Sequence, residues 1–155
     1  KGSDTDYNKL IPEGEHLTTI RFVTPVKIRK DRKTARQLSF TDIIEAALRR
    51  ITIINYFYGT GLPLSSEETH QSIEYAKQAE KIDDKTEYFS FQRFSGRQKT
   101  TVRLEGLTGS LQFKNVHPET AGILKLSERI GLGKSTSFGF GQIQLDFESE
   151  GETNG

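Results

Sequence analysis

Glu87-Tyr88-Phe89-Ser90-Phe91-Gln92-Arg93-Phe94-Ser95-Gly96-Arg97-Gln98-Lys99-Thr100-Thr101-Val102-Arg103 is the stretch on which the fold turns. Aromatic and polar residues alternate up to Ser95, and the run from Gln98 to Lys114 alternates again. A period of two sends successive side chains to opposite faces of a strand, so each half reads as half-buried β-structure. Gly96 supplies the turn between them. The two halves therefore pair as an antiparallel hairpin, and Gly106 and Gly109 predict a bulge in its second arm.

Each side of this hairpin repeats one theme. Upstream, His16–Ile28 alternates through Ile20, Phe22, Val26 and Ile28 and reads as a strand, with Pro25 marking an edge position or a bulge. Arg29–Gln37 is a charged loop. Ser39 or Thr41 can cap a helix over Asp42–Tyr58, whose Ile43, Ile44, Ala47, Leu48 and Ile51 fall on one face. Gly59-Thr60-Gly61 and Pro63 end it. Ser65–Ile82 is polar and reads as an inserted surface helix. Downstream, Pro118 starts a helix to Ile130, and Gln142–Phe147 is a last strand. The order strand, helix, strand, strand, helix, strand is the ferredoxin-like split βαβ arrangement, an α+β fold with a four-stranded antiparallel sheet and two helices on one face. The expected layout is a lead-in over 1–15, one domain over 16–148 and a polar tail over 149–155.

The chain has 155 residues, one domain's worth, with 28% charged and 33% apolar residues. Cysteine is absent, which excludes disulfides and thiolate metal sites and fits a cytoplasmic protein. No apolar run approaches the roughly 18 residues of a membrane span, and no signal-peptide pattern opens the chain. Methionine is absent and the chain begins Lys1-Gly2-Ser3, so a fragment of a longer protein is expected.

The net charge of +1 conceals segregation. Arg21, Lys27, Arg29, Lys30, Arg32, Lys33 and Arg36 face a single acid, Asp31, in their segment. Arg93, Arg97, Lys99 and Arg103 form a second run without an acid. Segregated cations give a basic face despite a neutral sum. A third feature joins them: Gly131-Leu132-Gly133-Lys134-Ser135-Thr136-Ser137-Phe138-Gly139-Phe140-Gly141. Such a loop can offer backbone N–H groups and Lys134 to phosphate oxygens. It is not a Walker A loop, because position 128 is Glu128 and a helix precedes the loop while a strand follows it. The dinucleotide fingerprint fails as well, its third glycine falling on Thr136 or Gln144. A polyanionic partner is one reading; a glycine-rich connector with no ligand is the other.

Three local patterns, in order along this fold, resemble the C-terminal domain of the CRISPR repeat-processing endoribonucleases of the RAMP superfamily (repeat-associated mysterious proteins). They are Phe22-Val23-Thr24-Pro25-Val26, then Arg93-Phe94-Ser95-Gly96-Arg97-Gln98 with Gly106-Leu107-Thr108-Gly109, then Gly133-Lys134 through Phe138-Gly139-Phe140-Gly141. The resemblance spans about Leu17 to Phe147. It implies an enzyme of two tandem ferredoxin-like domains, of which the first is expected to be missing here. It implies CRISPR repeat RNA as partner, and cleavage without metal or cofactor. The 2′-hydroxyl attacks the adjacent phosphate and leaves a 2′,3′-cyclic phosphate. The RNA-holding role falls on Gly131, Gly133, Lys134, Ser135, Thr136, Ser137, Phe138, Gly139 and Gly141, and on Arg93, Arg97 and Gln98. The neighbouring cations Lys99, Arg103, Arg29 and Lys30 extend that surface. Relatives commonly carry a histidine where this chain has Gly131.

A general base for the 2′-hydroxyl is usually histidine. The chain offers His117, His16 and His70. A capping or solvated role suits each as well, and the family's base commonly lies in the other half. Tyr56, Tyr58 and Tyr88 are possible helpers, though the first two suit helix packing. Besides the RNA-binding half of a processing enzyme, two readings stay open: a non-cutting RAMP subunit on guide RNA in an effector complex, and a generic ferredoxin-like binding module. Other CRISPR subunits or a second copy are further candidate partners, and no membrane is expected.

Overall fold

The computed structural model describes residues 16–58, 65–96 and 100–149. Its centre is an antiparallel sheet. Strand β1 (His16–Val26) lies between β6 (Thr100–Lys114) and β7 (Ile143–Ser149). On the other edge of β6 two strands follow end to end: β4 (Glu80–Asp84) pairs its last residues and β5 (Glu87–Ser95) its first. A two-residue pair, β2 (Arg29–Lys30) and β3 (Lys33–Thr34), forms a separate small hairpin after β1. Helices α1 (Phe40–Tyr58), α2 (Ser66–Ala76) and α3 (Pro118–Ile130) complete the ferredoxin-like α+β fold.

Register explains the two faces of the sheet. Ile20 stands opposite both Leu111 and Leu145, and all three are buried against Ile43, Ile44 and Leu124 of the helices. The alternate positions Thr19, Arg21, Gln112 and Asp146 occupy the open face. Burying that many aliphatic side chains, at about 25 cal/mol per Å² of apolar surface, is the main driving force. Phe40 fixes the start of α1 by meeting Phe113 edge to face, with ring centroids 4.9 Å apart.

Of the cap candidates Ser39 and Thr41, it is Ser39 that caps α1. Ser39 and Asp42 exchange hydrogen bonds, Asp42 N to Ser39 Oγ at 3.1 Å and Ser39 N to Asp42 Oδ2 at 3.0 Å. Ser65 and Glu68 do the same for α2. Pro118 occupies the first turn of α3, as expected.

Two expectations need correction, and one alternative is decided. The inserted helix does not run to Ile82. It stops at Ala76, and Glu80–Asp84 is a strand. Every residue of β4 is exposed, so no buried alternation marked it. It forms because Leu111–Lys114 of β6 offers a backbone edge to pair with. The bulge expected in β6 lies instead in its neighbours, between Phe22 and Val26 of β1 and between Lys81 and Asp83 of β4. The β6 glycines make room for backbones crossing over them: a Cβ on Gly109 would stand 2.0 Å from the Lys85 carbonyl oxygen. Pro25 therefore marks a bulge, and not an edge, since β1 is paired on both sides.

Candidate nucleic-acid interface

The glycine-rich segment links α3 to β7 and is fastened onto the end of β1. Leu132 is fully buried and anchors it. Lys134 N donates to Lys27 O at 2.8 Å, Gly141 N to Pro25 O at 2.8 Å, and Leu132 N to Gly141 O at 2.9 Å. These close approaches require glycine. A Cβ on Gly133 would meet Lys27 O at 2.4 Å and one on Gly141 would meet Leu132 O at 2.3 Å, and both residues have positive φ. The amides of Gly131, Lys134, Phe138, Gly139 and Gly141, all expected to cradle phosphate, are therefore already satisfied by the protein. The tip differs. Ser135 is left-handed with φ 64°, and Thr136–Phe138 form one 3₁₀ turn. The amides of Ser135, Thr136 and Ser137 have no acceptor among the described residues. Lys134, Ser137, Phe138 and Gly139 are exposed there, while Gly131, with φ 89°, sits partly covered at the α3 terminus. That positive φ accounts for glycine at this position, because any side chain would be strained.

Beside the tip lies a cleft of about 320 Å³. Lys27 and Arg29 come from the β1–β2 junction, Arg49 and Arg50 from α1, and Lys134 from the loop; no carboxylate lines it. Ser135 and Thr136 add hydroxyls. The cations have different duties. Arg50 Nε donates to Ile130 O at 3.1 Å, where the negative end of α3 favours a cation. An Arg29 Nη donates to Arg32 O at 2.6 Å. Arg49 and Lys134 are exposed and make no ion pair or side-chain hydrogen bond among the described residues. Like charges gathered without an acid raise the local positive potential, which an anion would relieve.

Arg49 and Arg50 were not singled out from the sequence, which assigned their helix to the core. The signal was present. Ala46, Arg49 or Arg50, and Ile53 follow helical spacing beside the buried stripe, and they line the cleft together.

The other expected contacts are dispersed. Lys30 pairs with Asp42 at 3.2 Å, beside the α1 cap. Arg103 Nε donates to Ser90 Oγ at 3.1 Å on the hairpin. Arg97, Gln98 and Lys99 lie outside the described residues, as does the side chain of Arg93 within β5. The hairpin nevertheless touches the loop. Phe89 lies 6.2 Å from Phe140 and 5.5 Å from Phe91, centroid to centroid.

Neither His117 nor His70 lines the cleft. His117 caps α3, its Nδ1 accepting from Glu119 N at 3.1 Å, and its ring stacks on Tyr75 at 3.6 Å. His70 is exposed on α2. His16 opens β1, but its side chain lies outside the described residues, as do those of Tyr56 and Tyr58. Tyr88 donates to Glu105 and carries Arg36 over its ring at 4.0 Å. The bond to Glu105, with burial and the nearby carboxylate charge, pushes the Tyr88 hydroxyl above its ordinary value. That makes it a poorer base near neutral pH. Among the described residues no three His, Asp or Glu side chains group as metal ligands. No helix among them is long and apolar enough to cross a membrane.

The family model for CRISPR-associated endoribonuclease Cas6 matches residues 20–143, from the middle of β1 to the start of β7. The chain belongs to the Cas6 family. No curated protein sequence matches it significantly. Solved Cas6 structures share its fold. Thermus thermophilus Cas6 (TTHB231) superposes with a TM-score of 0.67 at 14% identity, over 92% of this chain and 57% of that one. The Cas6 (TTHA0078) product complex gives 0.60 at 16% identity, over 92% and 56%. A partial Cas6-RT-Cas1–Cas2 complex gives 0.65 at 12% identity, over 96% and 26%. This chain thus spans little more than half the length of the first two Cas6 chains. The Cas6 match takes in the glycine-rich loop up to Gly141, the hairpin and all the cleft cations.

Proposed function

We propose that this chain is the RNA-holding half of a Cas6-type endoribonuclease that processes CRISPR precursor RNA within its repeat. The observation that carries the reading is the acid-free, cation-lined cleft beside the glycine-rich loop. Its chemistry suits phosphodiesters: the lysine contributes a point charge, the arginines planar donor forks, and the loop hydroxyls further donors. In this reading Lys134 and the tip of the loop hold backbone phosphates, and the hairpin beyond Phe94 extends the contact. The strand is thereby fixed so that one 2′-hydroxyl lies in line with its neighbouring phosphate. Attack by that oxygen expels the 5′-oxygen of the next nucleotide and closes a 2′,3′-cyclic phosphate. The reaction needs a base for the 2′-hydroxyl proton and an acid for the leaving oxygen. This half supplies binding and orientation, and the proton carriers lie in a preceding domain.

The capping role of His117 supports a second reading, that of a subunit which holds RNA and never cuts it. One experiment separates the two. End-labelled repeat RNA is incubated in EDTA with this chain, alone and with its preceding domain. Cleavage to a cyclic phosphate only when both are present is the expected result. Cleavage by this chain alone would place the base within it, and absence of cleavage in both would favour the holding subunit.

A further inference from the structure

We infer that Arg49 is a phosphate contact, and that bound RNA runs along the α1 edge of the domain, over the glycine-rich loop, and not across the open face of the sheet. This rests on the RNA-binding reading above and adds the path to it. In ferredoxin-like RNA-binding modules of the RNA-recognition type, the open sheet face is the binding platform. Here that face is electrically quiet. Arg21 is tied to Asp146 at 2.9 Å, and Lys114 faces Glu80 at 3.9 Å. Gln112, Gln144 and Glu148 occupy much of the remainder. An RNA strand laid there would have to break ion pairs and pass the carboxylates of Asp146, Glu80 and Glu148.

The α1 edge is the opposite case. Arg50 is spent on the Ile130 carbonyl, which holds the cleft wall in place. Arg49, its neighbour in the helix, is exposed and lines the same cleft as Lys134. Lys27 is partly balanced by the charge of Glu105, and Arg29 is engaged with the Arg32 carbonyl. That leaves Arg49 on α1 and Lys134 on the loop as the exposed cleft cations without an ion pair or side-chain hydrogen bond among the described residues. A guanidinium presents two parallel N–H donors to two oxygens of one phosphate. The cleft, at about 320 Å³, can admit a phosphate with its sugar.

The test is fluorescence anisotropy of the full chain with single-stranded repeat RNA, over a series of salt concentrations. Arg49→Ala, Arg49→Lys and Arg49→Gln are compared with Arg21→Ala on the open face, and melting curves verify folding. The expected result is an Arg49→Ala affinity lower by about three- to tenfold, with the log–log salt slope reduced by about 0.7 to 1. Arg49→Lys recovers part of the affinity, and Arg21→Ala changes little. RNAs with and without a terminal phosphate decide which phosphate is held: equal losses mean an internal phosphodiester, and a loss confined to the phosphorylated RNA means a strand end. Full binding by Arg49→Ala with loss in Arg21→Ala would put the RNA on the open face and overturn the inference, leaving the RNA-binding reading intact. No salt-dependent binding by the unsubstituted chain would remove both, and binding of an acidic peptide in its place would assign the cleft to a protein partner.

Discussion

The glycine-rich loop and the β5–β6 hairpin both carry glycine, aromatic rings and cations, yet they are built on different physics. In the loop, glycine is a steric necessity. Gly133 and Gly141 let two backbones touch; Gly141 gives its own amide to Pro25 O, and Lys134, next to Gly133, gives its amide to Lys27 O. In the hairpin, a Cβ on Gly96 would meet nothing within 4 Å. The hairpin is held by strand pairing, with Phe89 and Phe91 stacked on the open face and Tyr88 bound to Glu105. The lesson is that similar compositions serve close backbone contact in one place and strand pairing in the other. A loop tied down at both ends can present Lys134 at a fixed point, whereas β5 is held along its length by pairing with β6.

The largest test of this contrast is steric. Gly133→Ala forces a side chain into positive φ and against Lys27 O, and should lower the unfolding free energy by about 3 kcal/mol in a denaturant titration. Gly96→Ala should stay within about 0.5 kcal/mol. Equal effects would erase the distinction.

Next comes binding. Lys134→Ala should leave stability unchanged, weaken RNA binding across sequences, and reduce the salt slope by about one. Arg97→Ala should do the same if the hairpin shares the RNA path, and nothing if the loop and cleft act alone. Anisotropy against salt reads both.

The smallest effect is one of pH. The bond from Tyr88 holds Glu105 below its ordinary value of 4.5, with burial opposing and Arg103, Lys27 and Thr34 assisting. A carboxyl lowered on folding contributes stability that is fully present above its unfolded value and lost as pH falls through the lower folded one. The tie at the hairpin base should therefore persist at neutral pH and loosen below about pH 4.5. Both groups are only partly buried, so solvent screening keeps the energy small. Chemical-shift titration of the Tyr88 ring follows it, and an unshifted ring down to pH 2 would count against the bond.

Much of this was legible beforehand because it is local. Period-two alternation gave the hairpin, helical spacing gave α1 with Ser39 among its cap candidates, and Pro118 marked the start of α3. The family resemblance rested on the same local strings. What escaped was non-local. β4 has no buried face and exists only through the edge of β6, so its residues resembled a continuing polar helix. Arg49 and Arg50 sat inside a correctly read helix, but periodicity does not tell which loop will lie over its second face.

The sequence by itself determined the order of elements, the membership of the buried stripe and the presence of a basic, glycine-rich segment. These follow from φ preferences, side-chain period and apolar burial, which act within a few residues. Only the tertiary structure decided which loop amides remain free, which cations already have partners, and that Arg49, Lys27 and Lys134 share one cleft. Those depend on where backbones distant in sequence come into contact, and hydrogen bonds and charges are assigned only once they do.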